Sequence, residues 1–453
     1  MTKARRDGLV LLFLGASILI LLMSYLVNSH STAAFEDFKP DYYASRCLIE
    51  RGDPYNEMDV LRVYQAEGGA RPNEAQIDRE IATRYVYPPT AFAVMVPFAL
   101  LPWGPAHLLW MILGAAGLIF AAVLAWDLGA DYAPILSGAL CGFILANSLV
   151  ITVLSNPSEI AIALCVIAIW CFLRNRYIPA GIVCLAVSLA MKPQDAGMVW
   201  LYFLLAGSVY RRRAIQTLIA TIAVALPGVL WTWAVAPHWL NELCANILTF
   251  SQHGGLNDPG PASRVAHTLI DLQVVLSLFK DDPGFYNPVS YLIIAALTIV
   301  WGWVTLRSGF SLARAWMGIA AIVTLSLLPV HHHLYDTKLL LLLIPAVAVL
   351  CAEKGPLKWP ALLLTLAALA TTGDISGTMF LQLVDRSLLP ATGLAGALRG
   401  VLVFPVPLIL LAVGVFYLWV YARSTSRPPA TDGTVKPRRL FPLGEALRKG
   451  FIR

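Results

Sequence analysis

Apolar runs broken by short polar stretches recur along the whole chain, at residues 8–27, 107–126, 135–153, 160–173, 180–191, 197–209, 214–235, 291–306, 315–330, 339–351, 361–371 and 401–421. A run of about twenty apolar residues spans the hydrocarbon core at 1.5 Å per residue. The pattern therefore predicts an all-α polytopic membrane protein with about 12 transmembrane helices, in the range 10–13. Several runs, 180–191 and 339–351 among them, are shorter than the ~17 residues a span needs, so those helices are either extended by polar residues or broken. The segment 56–84 is charged and helix-compatible. The run YPPTAFAVMVPFALLP at 87–102 carries Pro88, Pro89, Pro97 and Pro102, which suits an interfacial or re-entrant helix better than a span.

Composition agrees with this reading. The 453 residues are 58% hydrophobic and 13% charged, about half the charge of a soluble domain. The basic MTKARR before the first run also fits a signal peptide, but no small-residue cleavage site follows, and the run is read as a retained helix. Five of the seven cysteines (Cys141, Cys165, Cys171, Cys184 and Cys351) lie in or at the end of apolar runs and read as small hydrophobes. Cys47 and Cys244 lie in polar loops, where spacing leaves a disulfide open.

Charge orients the chain. With the N-terminus inside, one face collects 20 of the 33 Lys and Arg residues and only six of the 27 acids, which is the cytoplasmic signature. The other, outer face receives every long or chemically rich segment: 28–106, the turn SNPSE at 155–159, MKPQD at 191–195, the loop 237–290, VHHHLYDTK at 330–338, and 372–400. Residues 1–421 form one transmembrane domain that includes the outer loops 28–106 and 237–290. Residues 422–453 are a basic cytoplasmic tail expected to be disordered. Elaboration confined to one face suits an active site built at one membrane surface, since a transporter presents a path to both.

The outer loop opens with FEDFKPDYYASRCLIERGDPY at 35–55. Asp37-Phe38, Tyr42-Tyr43, Ala44, Gly52-Asp53-Pro54-Tyr55 and then Tyr87-Pro88-Pro89 resemble the first outer loop of glycosyltransferase family 87, the polyprenol-phosphate-mannose-dependent mannosyltransferases of the multispan GT-C architecture. AGIVCLAVSLAMKPQ at 180–194 is similar to that family's span ending in Lys, and HHHLYDTKLLLLLIP to its histidine-containing turn. SNPSE departs from the Gln and Asn expected near 155–159. The resemblance implies a GT-C bundle, an inverting transfer of a sugar, mannose, from a polyprenyl-phosphate donor to a lipid-linked or glycan acceptor at the outer face, and Asp37 as catalytic base. The expected partners are that donor, that acceptor and membrane lipids, with no nucleic acid.

The chemistry of the residues agrees. Sugar transfer to a hydroxyl needs a base for the acceptor's proton, and a partly desolvated carboxylate can serve. Asp37 is that candidate, with Asp41 the alternative one helical turn on. A leaving phosphate needs cations, and Lys192 and Arg264 are the candidates; a snorkelling lysine is the plain reading of Lys192. His332 and His333 are candidates for binding sugar or phosphate, with Asp336 fixing a histidine tautomer, and Gln194, Tyr42 and Tyr43 for binding substrate. No Gly-rich phosphate loop and no Cys/His ligand spacing is present, so no cofactor and no metal is expected. The competing reading is a secondary transporter or lipid flippase without chemistry; the chain shows neither an internal repeat nor an acid near the middle of any apolar run, where coupling residues tend to lie.

Overall fold

The computed structural model describes residues 3–29, 36–68, 76–261, 263, 266–307, 309–353, 355–376, 379 and 404–424. Arg264, the tail beyond residue 424 and most of the 372–400 loop lie outside them.

After α1 (Lys3–Asn28), three short helices, α2 (Phe38–Ile49), α3 (Glu57–Ala66) and α4 (Gln76–Thr83), form a small subdomain. The proline-rich run becomes a 3-10 turn at Pro89–Ala91 and α5 (Phe92–Ala99). The bundle follows as α6 (Trp103–Ala130), α7 (Pro134–Ala146), α8 (Leu149–Leu154), α9 (Pro157–Leu173), α10 (Ile178–Met191), α11 (Pro193–Leu205) and α12 (Ser208–Val235). Next come α13 (Trp239–Ser251), α14 (Leu272–Ser277), α15 (Pro283–Arg307) and α16 (Leu312–Ser326). A 3-10 helix at Leu334–Leu343 leads into α17 (Ile344–Ala352), followed by α18 (Lys358–Thr372) and α19 (Val406–Ser424). No strand occurs among the described residues; Leu269 and His333 form one isolated antiparallel bridge.

Six segments are long and apolar enough to cross a membrane: Lys3–Asn28, Trp103–Ala130, Val209–Val235, Pro283–Arg307, Leu334–Ala352 and Val406–Ser424. The expected count of about 12 becomes six long segments and several shorter apolar helices, because the intervening runs are cut by Pro, Lys and Asn. The run at 135–153, for instance, breaks at Asn147 between α7 and α8. Burial of the long segments is inverted relative to a soluble protein: only 22% of the apolar window of α1 and 17% of that of α12 is buried. Leu12, Val27, Ile219 and Ile299 face outward, as a lipid solvent allows. The Leu334–Ala352 segment is 83% buried and forms the centre of the bundle. The chain is a multi-pass membrane protein.

The contacts sort the loops by end. At one end Arg174 pairs with Asp127 at 3.0 Å and Asp131 at 2.5 Å, and Arg213 donates to Asn175. Arg307 and Arg423 lie over Trp303 and Trp419 at 3.7 and 4.4 Å, the Trp and Arg pairing suited to a membrane boundary. At the other end the subdomain docks on the bundle. Phe38 stacks on Trp103 and Trp110, with ring centroids 5.8 and 5.0 Å apart, and Trp110 Nε1 donates to the Ser155 carbonyl at 2.9 Å. Burying one such ring is worth about 3–5 kcal/mol on truncation to alanine, so the start of α2 is firmly placed. Cys47 is buried there and Cys244 is exposed, both as free thiols, so the disulfide left open by spacing is not formed.

Candidate functional site

Three helix breaks deliver the site. At the first, Asn156 caps α9: its Oδ1 accepts from Ser158 N at 2.8 Å and Pro157 occupies the first helical position, a favoured start. The other half of the same amide, Nδ2, donates to Asp37 Oδ2 at 2.7 Å. At the second break, Pro193 ends α10 by excluding the helical conformation at the residue before it, and Lys192 takes φ −144°, ψ 80°. Its Nζ donates to Ser158 Oγ, lies 2.9 Å from Asp336 Oδ1 and 3.9 Å from Asp195 Oδ2.

The third break is the histidine turn. Ile270 N bonds the His332 carbonyl at 3.1 Å and Leu272 N the Leu328 carbonyl at 3.0 Å, clamping the turn against residues 269–272. Asp336 reaches back to cap it, accepting from His333 N at 3.0 Å and pairing with His332 Nδ1 at 3.1 Å. The ten-residue 3-10 helix that follows is far longer than the usual three or four residues of that geometry. It carries Tyr335, whose hydroxyl bonds Asp37 and whose ring lies 5.8 Å from Lys192 Nζ.

Asp37, Asn156, Ser158, Lys192, Asp195, His332, Tyr335 and Asp336 thus converge from segments far apart in the chain. Asp37 is partly exposed, as a base must be. Burial is the largest influence on it and lifts its pKa to about 6; Asn156, Lys192 and Tyr335 pull it back down, and Asp336 pushes it up. A carboxylate so poised is a better proton acceptor than one at its ordinary value. Burial raises Asp41 much further, with Asp37 adding to the effect. His331 Nε2 and His333 Nε2 are 3.1 Å apart. Burial lowers the pKa of both and holds the pair neutral.

Of the residues singled out in the sequence, the structure brings together Asp37, Lys192, His332 and Asp336. His333 stands beside them, bonded through Nδ1 to Thr268 Oγ1 at 3.1 Å. Gln194 is half-buried at the start of α11. Tyr42 and Tyr43 do not join the cluster: they are buried on another face of α2, against Trp103 and Tyr64, and the Tyr42 hydroxyl bonds the Leu101 carbonyl at 2.9 Å. Arg264 lies outside the described residues. Asn156, Ser158 and Tyr335 were missed as site residues. SNPSE was set aside because it departs from an expected pattern, yet its Asn-Pro-Ser is a capping signal whose amide has a second function to spare.

Asp195, His332 and Asp336 offer ligand atoms within 4.8 Å of one another, a carboxylate and imidazole set of the kind metals use. Their sequence spacing gave no such motif. Lys192 already supplies a cation to two of the three.

A family model, described as glycosyltransferase family 87, matches residues 85–328, just over half of the chain. The matched part holds Asn156, Ser158, Lys192 and Asp195, while Asp37, Asp41 and the histidine turn lie outside it. No curated protein and no solved structure matches the chain. With a majority of its length covered, and with a convergent polar site at the subdomain end of a helical membrane bundle, the chain belongs to glycosyltransferase family 87 and is a membrane glycosyltransferase.

Proposed function

We propose that the enzyme transfers mannose, with inversion, from a polyprenyl-phosphate donor to a lipid-linked or glycan acceptor at the non-cytoplasmic face, and that the bundle is of the GT-C type. One observation carries the reading: Asp37, partly exposed and with its pKa lifted to about 6, stands in the same cluster as the Lys192 ammonium.

In the reaction, the acceptor oxygen attacks the anomeric carbon as the bond from that carbon to the phosphate oxygen breaks. The acceptor's proton passes to an Asp37 carboxylate oxygen. Asn156 and Tyr335 hold that carboxylate by hydrogen bonds and fix its direction. The polyprenyl phosphate departs with the bonding electron pair, and Lys192 stabilises its developing charge. Asp336 keeps Lys192 charged and, through His332 Nδ1, orients an imidazole whose Nε2 has no partner. That nitrogen is free for a phosphate or sugar oxygen. The energy of transfer resides in the donor's own phosphodiester, so no nucleotide is required.

Incubating the purified protein with radiolabelled polyprenyl-phosphate-mannose and a lipid acceptor extract tests the reading. Labelled glycolipid and free polyprenyl phosphate are expected; a labelled donor that crosses vesicle bilayers unchanged would instead indicate a flippase.

A further inference from the structure

The line of α2 that begins at Asp37 does not end there. Residues 37, 41 and 45 are spaced by four, so they share one face of the helix. Asp41 and Ser45 are fully buried. Neither oxygen of the Asp41 carboxyl has a hydrogen-bond partner, nor does the Ser45 hydroxyl, nor the fully buried Tyr85 hydroxyl. Of the charged groups, Asp41 acts most strongly on Tyr85. Beside it the Tyr85 ring packs on Tyr55 at 5.4 Å and stacks on Phe92 at 4.8 Å.

Buried polar atoms are paired in the great majority of cases, and an orphan carboxyl costs free energy. Four orphan oxygens gathered one turn beyond the base are therefore a site awaiting its partner. The other two faces of α2 are occupied: Phe38, Tyr42 and Tyr43 pack in one apolar cluster, Ala44 and Leu48 in another with Tyr55, Tyr85 and Phe92. Packing thus accounts for the aromatic residues and leaves the Asp41 line unexplained.

We infer that Asp41, Ser45 and Tyr85 form a subsite for a pyranose, binding adjacent hydroxyls of the sugar whose own reacting hydroxyl is presented to Asp37. A carboxyl accepts from two neighbouring hydroxyls at once, and the Ser and Tyr hydroxyls each donate and accept. The ligand is the acceptor's sugar and not the donor's phosphate, because an acidic group repels phosphate and Lys192 stands at the Asp37 end of the line. This assignment of the acceptor side rests on the glycosyl transfer proposed above. Asp41 is then a positioning residue for the acceptor.

The test uses the full-length protein in lipid nanodiscs and the methyl pyranosides of mannose, glucose and galactose at concentrations well above millimolar. At least one of them should raise the unfolding temperature of the wild type by about 1–2 °C, and Asp41→Leu and Ser45→Ala should abolish or reduce that rise while Asp37→Asn keeps it. Without ligand, Asp41→Leu should unfold at the wild-type temperature or above, because it removes an orphan carboxyl. In turnover, Asp41→Asn should raise the acceptor KM about tenfold, as loss of one charge-assisted bond does, with the donor KM within about twofold.

No response of the wild type to any of the three glycosides, a response retained in Asp41→Leu, or a sharp fall in its ligand-free stability would each overturn the subsite. A wild type that binds a pyranoside through Asp41 yet transfers nothing from the polyprenyl-phosphate donor would leave the subsite standing and remove the proposed reaction.

Discussion

Asn156 Nδ2 donates to Asp37 Oδ2 at 2.7 Å across 119 positions of sequence, while Asn156 Oδ1 caps the helix that begins beside it. One amide therefore sets both where α9 starts and which way the proposed base points. Serine caps a helix about as well as asparagine but does not carry the amide donor that reaches Asp37. Asn156→Ser should keep the unfolding temperature. Because the lost bond favoured the charged carboxylate, the acid limb of the rate profile should move to higher pH. A profile that does not move would show that Asn156 does not act on the base.

Asp37→Asn keeps the shape of the side chain and removes its basicity. Turnover should fall by about 10²- to 10⁴-fold, the usual contribution of a general base, with the donor KM little changed. Asp41→Asn should retain far more of the turnover at saturating acceptor. The reverse order would make Asp41 the base.

The pH dependence follows from the same group. A base works only when ionised, and Asp37 is half-protonated at about pH 6. The wild-type rate should therefore decline as pH falls through about 6, two units above where an ordinary aspartate titrates. A rate flat down to pH 5 would contradict the role given to Asp37.

Lys192 and Asp336 are both nearly fully buried and 2.9 Å apart. Lys192→Ala leaves the Asp336 charge with its chief cation gone, and breaking such a pair costs about 3–5 kcal/mol. Lys192→Ala with Asp336→Ala together should be more stable than Lys192→Ala alone. The double variant should also show a raised donor KM, because the phosphate has lost its cation. Additive losses of stability would mean that the two side chains do not form a working pair.

Orientation can be read with a native thiol. Cys244 is exposed and lies on α13, whose Asn246 Nδ2 donates to the carbonyls of Tyr55 and Tyr85 at 3.0 and 3.1 Å, so it is at the site end. A membrane-impermeant thiol reagent should label Cys244 in intact cells, and a cysteine introduced at the exposed Arg212 only after lysis. The opposite result would place the site in the cytoplasm.

The sequence by itself determined the class of this protein, because that information is local. Runs of apolar residues demand helices in lipid, where a backbone must bond within its own segment, and each of the twelve runs overlaps helix. Motif order brought Asp37, Lys192, His332 and Asp336 forward as candidates. Only the tertiary structure decided which polar residues meet, because a hydrogen bond between residues 37 and 156, or an ion pair between 192 and 336, leaves no mark in periodicity. It separated Tyr42 and Tyr43 from the Asp37 face, since a helix turns about 100° per residue and an adjacent position faces elsewhere. It also shortened half of the helices, because a Pro or Asn that looks like a pause in an apolar run becomes a break when its backbone and side chain are taken up by a site.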